Sequence, residues 1–268
     1  MSEIITLSSE QTANLDPVSS AFAYGFGLFE TIKLSQGRLC LWAAHWQRLK
    51  QSAATLGLAF EYAEADVIQA IDSFVDASSS SDGTIKLSLF SDRLYVYSRP
   101  ALSVPEGKLR LQLDFRSRIN EHSYLAGHKT HNYMENSLLL QRCRQQGYYD
   151  VLRLNSSGDL AETAVGNLFF MSGETLCTPS LDVGILPGVV RAAVLSIARR
   201  KHWDINVGLF DVNALAVAEA VFITNASCGI LPIAEVEGLF DGESASHPRL
   251  LELSRLLAEA EIEDSVIL

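Results

Sequence analysis

Short stretches of alternating apolar and polar residues, joined in pairs by tight turns, constrain the fold of this chain most strongly. Residues 29–34 and 38–41 alternate on either side of a Gln-Gly turn, and a second pair of such stretches lies within 84–97, around Ser91-Asp92. A period of two that is interrupted by a short turn predicts an antiparallel β-hairpin. Strict alternation over 108–115 predicts a further half-buried strand.

Between these stretches the apolar spacing changes to that of a helix. From Ala43 the apolar residues fall three and four positions apart, and Gly57 follows as a stop. Further helices are predicted over 61–75, 132–146, 187–200 and 248–260, and further strands over 150–154, 160–163, 168–171, 175–178 and 220–224. Hairpins mixed with separate helices favour an α+β fold over a doubly wound parallel sheet. No GxGxxG sequence follows a predicted strand, so a dinucleotide-binding fold is not supported.

The length of the chain and a loss of pattern near its middle together predict two domains. The chain has 268 residues, which is more than one typical core needs. Residues 116–127 are mixed and polar without periodicity. We therefore expect an N-terminal domain over 1–115, an interdomain linker over 116–127 and a C-terminal domain over 128–268.

The composition argues against several kinds of partner. The chain carries 21 Lys and Arg against 32 Asp and Glu, a net charge of −11, whereas nucleic-acid binding needs clustered positive charge. No apolar run approaches the ~20 residues that a membrane-spanning helix needs, and the N-terminus does not resemble a signal peptide. The four cysteines are widely spaced, which indicates free thiols in a reducing compartment. We expect a cytoplasmic protein with no nucleic-acid or membrane partner.

One lysine lies in a different setting from the others. Lys129 ends the unpatterned segment just before a helix, between His128 and His131, whereas the other lysines fall in predicted strands or charged helices. By itself this position is more typical of an exposed loop lysine. The two histidines are three residues apart, but no cysteine or carboxylate pair nearby completes a metal site, so we expect no metal.

The start of the helix predicted over 187–200 is suited to binding an anion. Pro187 and Gly188 open this helix, and the free backbone N–H groups of a first helical turn favour a phosphate. A glycine there lets an anion approach closely. An ordinary helix start has the same sequence pattern, so this segment alone does not decide the function.

Several segments together resemble the class IV aminotransferase-like proteins. These segments are 24–31, 45–49, 129–133, 160–169 and 178–191, and they occur in the family's order. The resemblance runs from about Tyr24 to Pro232. It implies a two-domain fold-type IV structure like that of D-amino-acid aminotransferase, with a smaller N-terminal α/β domain and a larger C-terminal domain containing a barrel-like sheet. It also implies pyridoxal 5′-phosphate (PLP) as cofactor, a small-molecule substrate and a homodimer.

The same resemblance assigns roles around the cofactor ring. Lys129 is expected to bond covalently to the cofactor aldehyde and, when released, to act as base. Glu162 is expected to accept a hydrogen bond from the pyridine nitrogen, which keeps that nitrogen protonated. Tyr133 is expected to hydrogen-bond the ring oxygen, and Tyr24 to line the substrate pocket.

Phosphate contacts are also implied by the resemblance. Arg48 is expected to pair with the phosphate, because a planar guanidinium suits oxygen anions. The helix start at Gly188, Val189 and Val190 is expected to donate backbone N–H groups, although Val190 stands where many relatives have threonine. The remaining phosphate contacts are expected from Asn225 and Ala226.

Within the family the chain most resembles the 4-amino-4-deoxychorismate lyases of folate biosynthesis, which release pyruvate and 4-aminobenzoate. The alternative is a class IV aminotransferase acting on branched-chain or D-amino acids. Both reactions begin at the same residues, and the sequence does not choose among Arg116, Arg118 and Arg153 as contacts for a substrate carboxylate. The chain departs from the family at its start, where we recognise neither the short strand nor the Asp-Arg step that relatives often have before Tyr24.

Overall fold

A computed structural model describes residues 3–7, 18–78, 80–90, 93–100 and 104–268. The chain divides into two compact units. The N-terminal unit comprises Met1–Ser103, His128–Asn132 and Ala260–Leu268, and the C-terminal unit comprises Val104–Gly127 and Tyr133–Glu259.

The N-terminal unit is a sheet with helices packed on it. Its strands, numbered in chain order, are β1 (Glu3–Leu7), β2 (Leu28–Ser35), β3 (Arg38–Cys40), β4 (Gly83–Leu89), β5 (Arg93–Arg99) and, from the end of the chain, β16 (Ser265–Ile267). Its helices are α1 (Ser20–Tyr24), α2 (Trp42–Leu56) and α3 (Glu64–Ser78). The strand order is β1-β5-β4-β2-β3-β16, with β1 parallel to β5 and the other pairs antiparallel.

The core of this unit follows from the two periodicities in the sequence. Trp46, Leu49 and Ala53 on α2 are buried against the apolar face of the sheet, as their spacing predicts. Gly57 ends α2 in the left-handed conformation, which confirms it as the helix stop. Both predicted hairpins are confirmed by the pairing of β2 with β3 and of β4 with β5, while the predicted turn at Ser91-Asp92 lies outside the described residues.

The start of the chain differs from the prediction. Residues Glu3–Leu7 form β1 and pair in parallel with β5, from Glu3 opposite Arg93 to Leu7 opposite Tyr97. The expectation of no strand before Tyr24 is therefore wrong. The strand lies at an edge of the sheet and is only partly buried, so its sequence lacks the alternation that marks a half-buried strand.

The C-terminal unit contains a larger mixed sheet. Its strands are β6 (Arg110–Ile119), β7 (Asp150–Asn155), β8 (Leu160–Thr163), β9 (Asn167–Ser172), β10 (Thr175–Pro179), β11 (Ile205–Gly208), β12 (Ala220–Asn225), β13 (Gly229–Ile233), β14 (Glu235–Val236) and β15 (Phe240–Asp241). Its helices are α4 (Met134–Gln145), α5 (Val189–Arg200), α6 (Asn213–Ala216) and α7 (Pro248–Glu263), whose last turn groups with the N-terminal unit. The order is β11-β10-β9-β8-β7-β6-β14-β15, and β12 branches from β9 to pair with β13. Because β9 has three partners, the sheet folds over a core of large apolar side chains such as Phe170 and Ile223.

Three segments group differently from the predicted division at residues 115 and 128. Strand β6 continues to Ile119, beyond the predicted end, and pairs in parallel with β7, so it belongs to the C-terminal unit. His128–Asn132 belongs to the N-terminal unit, and Thr130 bridges to Leu28 there. The end of the chain returns to the N-terminal unit because β16 pairs with β3. Each pairing joins segments that are far apart in sequence, so a division of the chain at one or two positions cannot describe the two units. Within the described ranges, no helix is both long and apolar enough to cross a bilayer.

Candidate cofactor site

Lys129 is held at a fixed backbone position beside the start of β2. Phe29 N donates to Lys129 O at 2.9 Å, and His131 N donates to Gly27 O at 3.0 Å, so the segment lies along β2 like an added strand. Gly27 also allows close packing of Phe90, because a Cβ there would lie 2.6 Å from the Phe90 ring. The backbone of Lys129 is therefore not that of an unconstrained loop.

The side chain of Lys129 lies among aromatic groups of the same unit. Its Nζ is 4.4 Å from the centre of the Phe29 ring. His131 contacts the Phe29 ring and stacks on Phe90 with ring centres 4.6 Å apart. Burial lowers the pKa of His131 to about 4, so this histidine is neutral at neutral pH.

Neither histidine beside Lys129 belongs to a metal cluster. His128 Nδ1 lies 2.9 Å from Ser52 Oγ, and burial lowers the pKa of its ring. Over the ranges that the structure describes, no group of three or more His, Cys, Asp or Glu side chains is arranged to hold a metal ion.

Arg48 belongs to a buried network on α2 and β2. Its Nε and Nη2 donate to the two carboxylate oxygens of Glu30 at 2.8 Å and 2.6 Å, a bidentate pair. His45 Nδ1 lies 2.7 Å from Glu30 Oε2. Burial lowers the pKa of His45, and because a carboxylate only accepts, Nδ1 of the ring donates to Glu30. The predicted contact of Arg48 with a phosphate stays a prediction, and the structure adds that Glu30 fixes its guanidinium plane.

Glu162 is oriented by two hydrogen bonds at the start of helix α5. Leu186 N donates to Glu162 Oε2 at 3.1 Å, and Asn167 Nδ2 donates to the same oxygen at 3.0 Å. Asn167 Nδ2 also donates to Leu186 O at 2.9 Å. Asn167 therefore ties the carboxylate of Glu162 to the segment that leads into α5.

Gly188 is the N-cap of α5 and has no side-chain cap hydrogen bond. The first N–H groups of the helix, including those of Val189 and Val190, are therefore not satisfied by a capping side chain. A Cβ on residue 188 would lie 1.9 Å from Asn167 Oδ1. Glycine is thus required here by a neighbouring side chain, which sequence reasoning did not foresee.

Two buried polar atoms near α5 lack a partner among the described residues. They are Thr224 Oγ1, at the end of β12, and Arg191 Nε, in the first turn of α5. Helix α5 packs against β12. A buried polar atom without a hydrogen-bond partner raises the free energy of the folded state, and a bound ligand would supply that partner.

The turn after β12 contains the other two predicted phosphate contacts, Asn225 and Ala226. Asn225 Oδ1 accepts a hydrogen bond from Ser227 N at 3.1 Å and so shapes this turn. The predicted phosphate contacts of Asn225 and Ala226 stay predictions.

Tyr133 is held by the loop that follows Glu162. Its hydroxyl donates to Ala164 O at 2.7 Å, and Asn136 Nδ2 donates to the same oxygen at 2.8 Å. The loop is in turn held by Asp150, which accepts hydrogen bonds from the backbone N–H groups of Ala164 and Val165. Burial raises the pKa of Asp150 to about 6. The expected contact of Tyr133 with a cofactor ring oxygen stays a prediction.

The remaining candidates are more exposed or are already paired. Tyr24 ends α1 and is 76% exposed. Arg153 donates to Glu135 Oε2 at 2.8 Å, and Arg118 donates to the Phe115 and Asn155 carbonyl oxygens. The role of Tyr24 in lining a substrate pocket stays a prediction.

Residues that sequence reasoning missed share one property: each acts on a residue distant in sequence. Glu30 reaches Arg48 across 18 positions, and Asp150 reaches Val165 across 15. The only signal available for Glu30 was a carboxylate at an otherwise apolar position of β2 that faces the core.

The described residues fit a phosphorylated aromatic cofactor. The uncapped start of α5 and the orphaned Thr224 hydroxyl suit a phosphate. The carboxylate of Glu162 suits a protonated ring nitrogen, and Lys129 supplies a primary amine. The phosphate, the protonated ring nitrogen and the aldehyde of such a cofactor therefore each have a residue or helix start of suitable charge or reactivity.

Comparison with known proteins assigns the chain to a family. Residues 27–236 match the amino-transferase class IV family, so the chain belongs to this family, whose cofactor is PLP. A Bacillus subtilis (strain 168) aminodeoxychorismate lyase is 27% identical over 264 residues, covering 90% of this chain and 89% of the relative. The 4-amino-4-deoxychorismate lyase of Pseudomonas aeruginosa has a crystal structure that matches with a TM-score of 0.80 and 25% identity, covering 93% of this chain and 96% of that one.

Aminotransferases of the family match as well. A branched-chain-amino-acid aminotransferase from Escherichia coli (strain K12) is 28% identical over 117 residues, covering 44% of this chain and 38% of the relative. The predicted two-domain α+β fold of type IV is confirmed by these structural and family matches.

Proposed function

We propose that the chain is a PLP-dependent 4-amino-4-deoxychorismate lyase, which releases pyruvate and 4-aminobenzoate. The observation that carries this proposal is the extent of the likeness to the Bacillus subtilis aminodeoxychorismate lyase, which spans 90% of the chain. The likeness to a branched-chain aminotransferase covers 44%. A D-alanine aminotransferase from Listeria monocytogenes covers 94% of the chain at 22% identity, so at nearly equal coverage the lyase, at 27%, shares the higher identity.

Lys129 carries the reactive amine in this proposal. Its Nζ holds the cofactor covalently and, once released, accepts a proton from the substrate. The backbone pairing of His131 with Gly27 and of Phe29 with Lys129 keeps the backbone of residue 129 at one place along β2. The bound cofactor supplies the electron sink that stabilises a developing carbanion.

Glu162 and the start of α5 orient the cofactor in this proposal. Glu162 accepts the ring N–H through a carboxylate whose position is fixed by Leu186 and Asn167. The amides of Val189 and Val190 bind phosphate oxygens at the start of α5, where the helix dipole favours negative charge. Arg48, Asn225 and Ala226 complete the phosphate contacts. Tyr133 contacts the ring oxygen, and Tyr24 the substrate.

The proposal is tested by supplying the substrate enzymatically. Purified protein is incubated with chorismate, glutamine and an aminodeoxychorismate synthase, and 4-aminobenzoate is measured by its fluorescence. We expect product with the wild type and none above background with Lys129→Ala. Lys50→Gln, an exposed lysine on α2, serves as the matched control and keeps full activity. Borohydride reduction followed by peptide mapping should label residue 129.

The aminotransferase alternative rests on the match to the Escherichia coli branched-chain enzyme over 44% of the chain and on the match to a D-alanine aminotransferase over 94% of it. It predicts that branched-chain or D-amino acids are deaminated when a keto acid is present as acceptor. Such deamination without any formation of 4-aminobenzoate contradicts the lyase proposal. A borohydride label on another lysine contradicts both.

We further propose that the protein is a cytoplasmic homodimer acting on a small molecule, without nucleic-acid or membrane partners. The homodimer follows from the family resemblance. The cytoplasmic location follows from widely spaced cysteines, and none of the four, all of which the structure describes, forms a disulfide bond. Light scattering coupled to size-exclusion chromatography is expected to give twice the chain mass of 29.4 kDa.

A further inference from the structure

The backbone carbonyl oxygen of Ala164 accepts two hydrogen bonds from side chains. The Tyr133 hydroxyl donates to it at 2.7 Å, and Asn136 Nδ2 donates to it at 2.8 Å. Ala164 follows Glu162 by two positions and is 2% exposed, so solvent does not replace either donor. A buried carbonyl needs at least one donor, and Ala164 O therefore has one more than it needs.

The Ala164 peptide cannot turn away to find another donor. Asp150 accepts hydrogen bonds from Ala164 N at 3.2 Å and from Val165 N at 3.3 Å. Ala164 N also lies 3.2 Å from Val151 O, to which it donates. The loop after Glu162 is thus fixed on the side of its N–H groups, so Ala164 O keeps its direction whichever donor it has.

The amide of Asn136 is oriented by a buried arginine. Arg153 Nη1 donates to Asn136 Oδ1 at 3.4 Å. Because a guanidinium only donates and a carbonyl only accepts, Oδ1 faces Arg153 and Nδ2 faces Ala164 O. Arg153 is 6% exposed and is itself held by Glu135 at 2.8 Å and by the carbonyl oxygen of Ser117 at 3.2 Å. The donor group of Asn136 is therefore directed at Ala164 O by neighbours on its other side.

The Tyr133 hydroxyl has a single proton to donate. Burial and the negative charge of Glu162 raise the pKa of Tyr133, so the hydroxyl keeps this proton at neutral pH. A phenol donates one hydrogen bond, and here it goes to Ala164 O. A negatively charged ring oxygen of a bound cofactor is a stronger acceptor than a backbone carbonyl. Two acceptors thus compete for one proton when the cofactor is bound.

We propose that Asn136 is a positioning residue for Tyr133, which holds Ala164 O while the Tyr133 hydroxyl turns its proton to the ring oxygen of the cofactor. This inference rests on the proposed function, from which it takes the contact of Tyr133 with that oxygen. Without Asn136, the same turn of the hydroxyl leaves a buried carbonyl without a donor, which raises the free energy of the bound state. Asn136 therefore favours cofactor binding without touching the cofactor.

A double-mutant cycle of Asn136→Leu and Tyr133→Phe tests this role through PLP affinity, measured by fluorescence titration. Leucine has nearly the shape of asparagine and lacks the donor. With Tyr133 present, Ala164 O loses its donor only on binding, so Asn136→Leu should weaken PLP binding by about 10- to 100-fold. In the Tyr133→Phe background the oxygen lacks a donor in both states, so Asn136→Leu should change the affinity by about twofold or less.

The stability of the cofactor-free protein should show the reverse pattern in urea. With Tyr133 present, Asn136→Leu removes one of two donors and should change the unfolding midpoint little. In the Tyr133→Phe background the same substitution removes the remaining donor of the pair, and the midpoint should fall clearly. A merely structural role for Asn136 instead lowers stability equally in both backgrounds and gives an affinity loss that does not depend on Tyr133.

The absorbance of the bound cofactor supplies an independent readout. A hydroxyl that donates to a charged ring oxygen stabilises that charge, so its loss should raise the pH at which the absorbance of the bound cofactor changes. Asn136→Leu should shift this pH in the same direction as Tyr133→Phe, because the hydroxyl then stays with Ala164 O. Gln141→Leu replaces an exposed amide on the same helix, α4, and should match the wild type.

A second variant keeps the test decisive if Asn136→Leu folds poorly. Asn136→Asp removes the donor and keeps an oxygen that faces Arg153. The charge that it adds acts in both backgrounds and therefore cancels in the cycle. The Asn136→Asp cycle should give the same dependence on Tyr133.

The outcomes separate this inference from the proposed function. An affinity loss that depends on Tyr133, in a protein that makes no 4-aminobenzoate, supports the positioning role and rejects the lyase. Unchanged affinity in Asn136→Leu, or an equal loss in both backgrounds, overturns the positioning role alone when Tyr133→Phe itself weakens binding and shifts the absorbance. If Tyr133→Phe changes neither, the contact of Tyr133 with the ring oxygen is wrong and the inference is wrong with it.

Discussion

Replacing Glu30 with glutamine removes the negative charge at the centre of the buried Glu30–His45–Arg48 network. Glu30 is 1% exposed, and both of its carboxylate oxygens bind the guanidinium of Arg48. A glutamine of the same shape keeps one acceptor but cannot form the bidentate pair. The charge of Arg48, whose side chain is 11% exposed, then lacks its counterion. We expect Glu30→Gln to lower the free energy of unfolding substantially.

The pKa of Glu30 sets the size of this effect. Burial raises the pKa, but the charge of Arg48 and the hydrogen bonds from His45 and Arg48 outweigh burial, so the pKa falls from 4.5 to about 2. This difference corresponds to about 3 kcal/mol. Breaking a buried pair by removing one partner costs about 3–5 kcal/mol in other proteins, which agrees. Because the pKa is lowered on folding, this stabilisation is present above pH 4.5 and is lost as the pH falls from 4.5 to about 2.

Urea unfolding of the cofactor-free protein, followed by tryptophan fluorescence, measures the change. Trp42 and Trp46 lie in the core of the N-terminal unit, so their emission reports on the unit that contains Glu30. Glu259→Gln is the matched control, because it breaks a glutamate–arginine pair with Arg255 on the exposed surface of α7 and should cost about 0.5 kcal/mol or less. If Glu30→Gln is as stable as this control at pH 7, the reasoning about the buried network is refuted.

Three further substitutions test the local geometry. Gly188→Ala puts a Cβ 1.9 Å from Asn167 Oδ1, so we expect PLP affinity to fall by about 10- to 100-fold in a fluorescence titration; unchanged affinity refutes the assigned role. Asp150→Asn should remove a pH dependence, because a pKa raised from 3.8 to about 6 makes the wild type lose stability as the pH rises through that range, by about 3 kcal/mol; parallel stability–pH curves for both proteins contradict this. Gly27→Ala puts a Cβ 2.6 Å from the Phe90 ring and 2.7 Å from Leu89 O, so it should lower the free energy of unfolding by about 1–3 kcal/mol in urea; stability equal to that of the wild type contradicts this.

Helices and strands that are marked by the spacing of residues close together in the chain were predictable from the sequence. The spacing of Trp46, Leu49 and Ala53 placed α2, and Gly57 marked its end, because a helix needs only near neighbours to expose its apolar face. The start of α5 at Val189, directly after Gly188, was also within one or two residues of the prediction. Strand β1 was missed because its stability comes from its pairing with β5, and that partner lies about 90 positions away.

The candidate site was predictable as a set of residues but not as a set of interactions. Motif resemblance identified Lys129, Arg48 and Glu162, each of which carries a recognisable local sequence. The partners Glu30 and Asn167 are an acid in a strand and an amide after a turn, and such residues have no distinctive pattern. Their roles follow from tertiary contacts, since Glu30 meets Arg48 only when α2 packs on β2.

The contact between Lys86 and Thr31 could not be predicted from the sequence, because it depends on the register of two strands. Thr31 and Lys86 are 55 positions apart and meet only because β2 and β4 pair in one register. A shift of one residue would turn Lys86 toward the apolar core, where its charge would be unpaired. The apolar residues Ile85 and Leu87 on either side of Lys86 are fully buried and fix that register. The packing that stabilises the sheet therefore also determines which polar side chains stand beside Phe29 and Lys129.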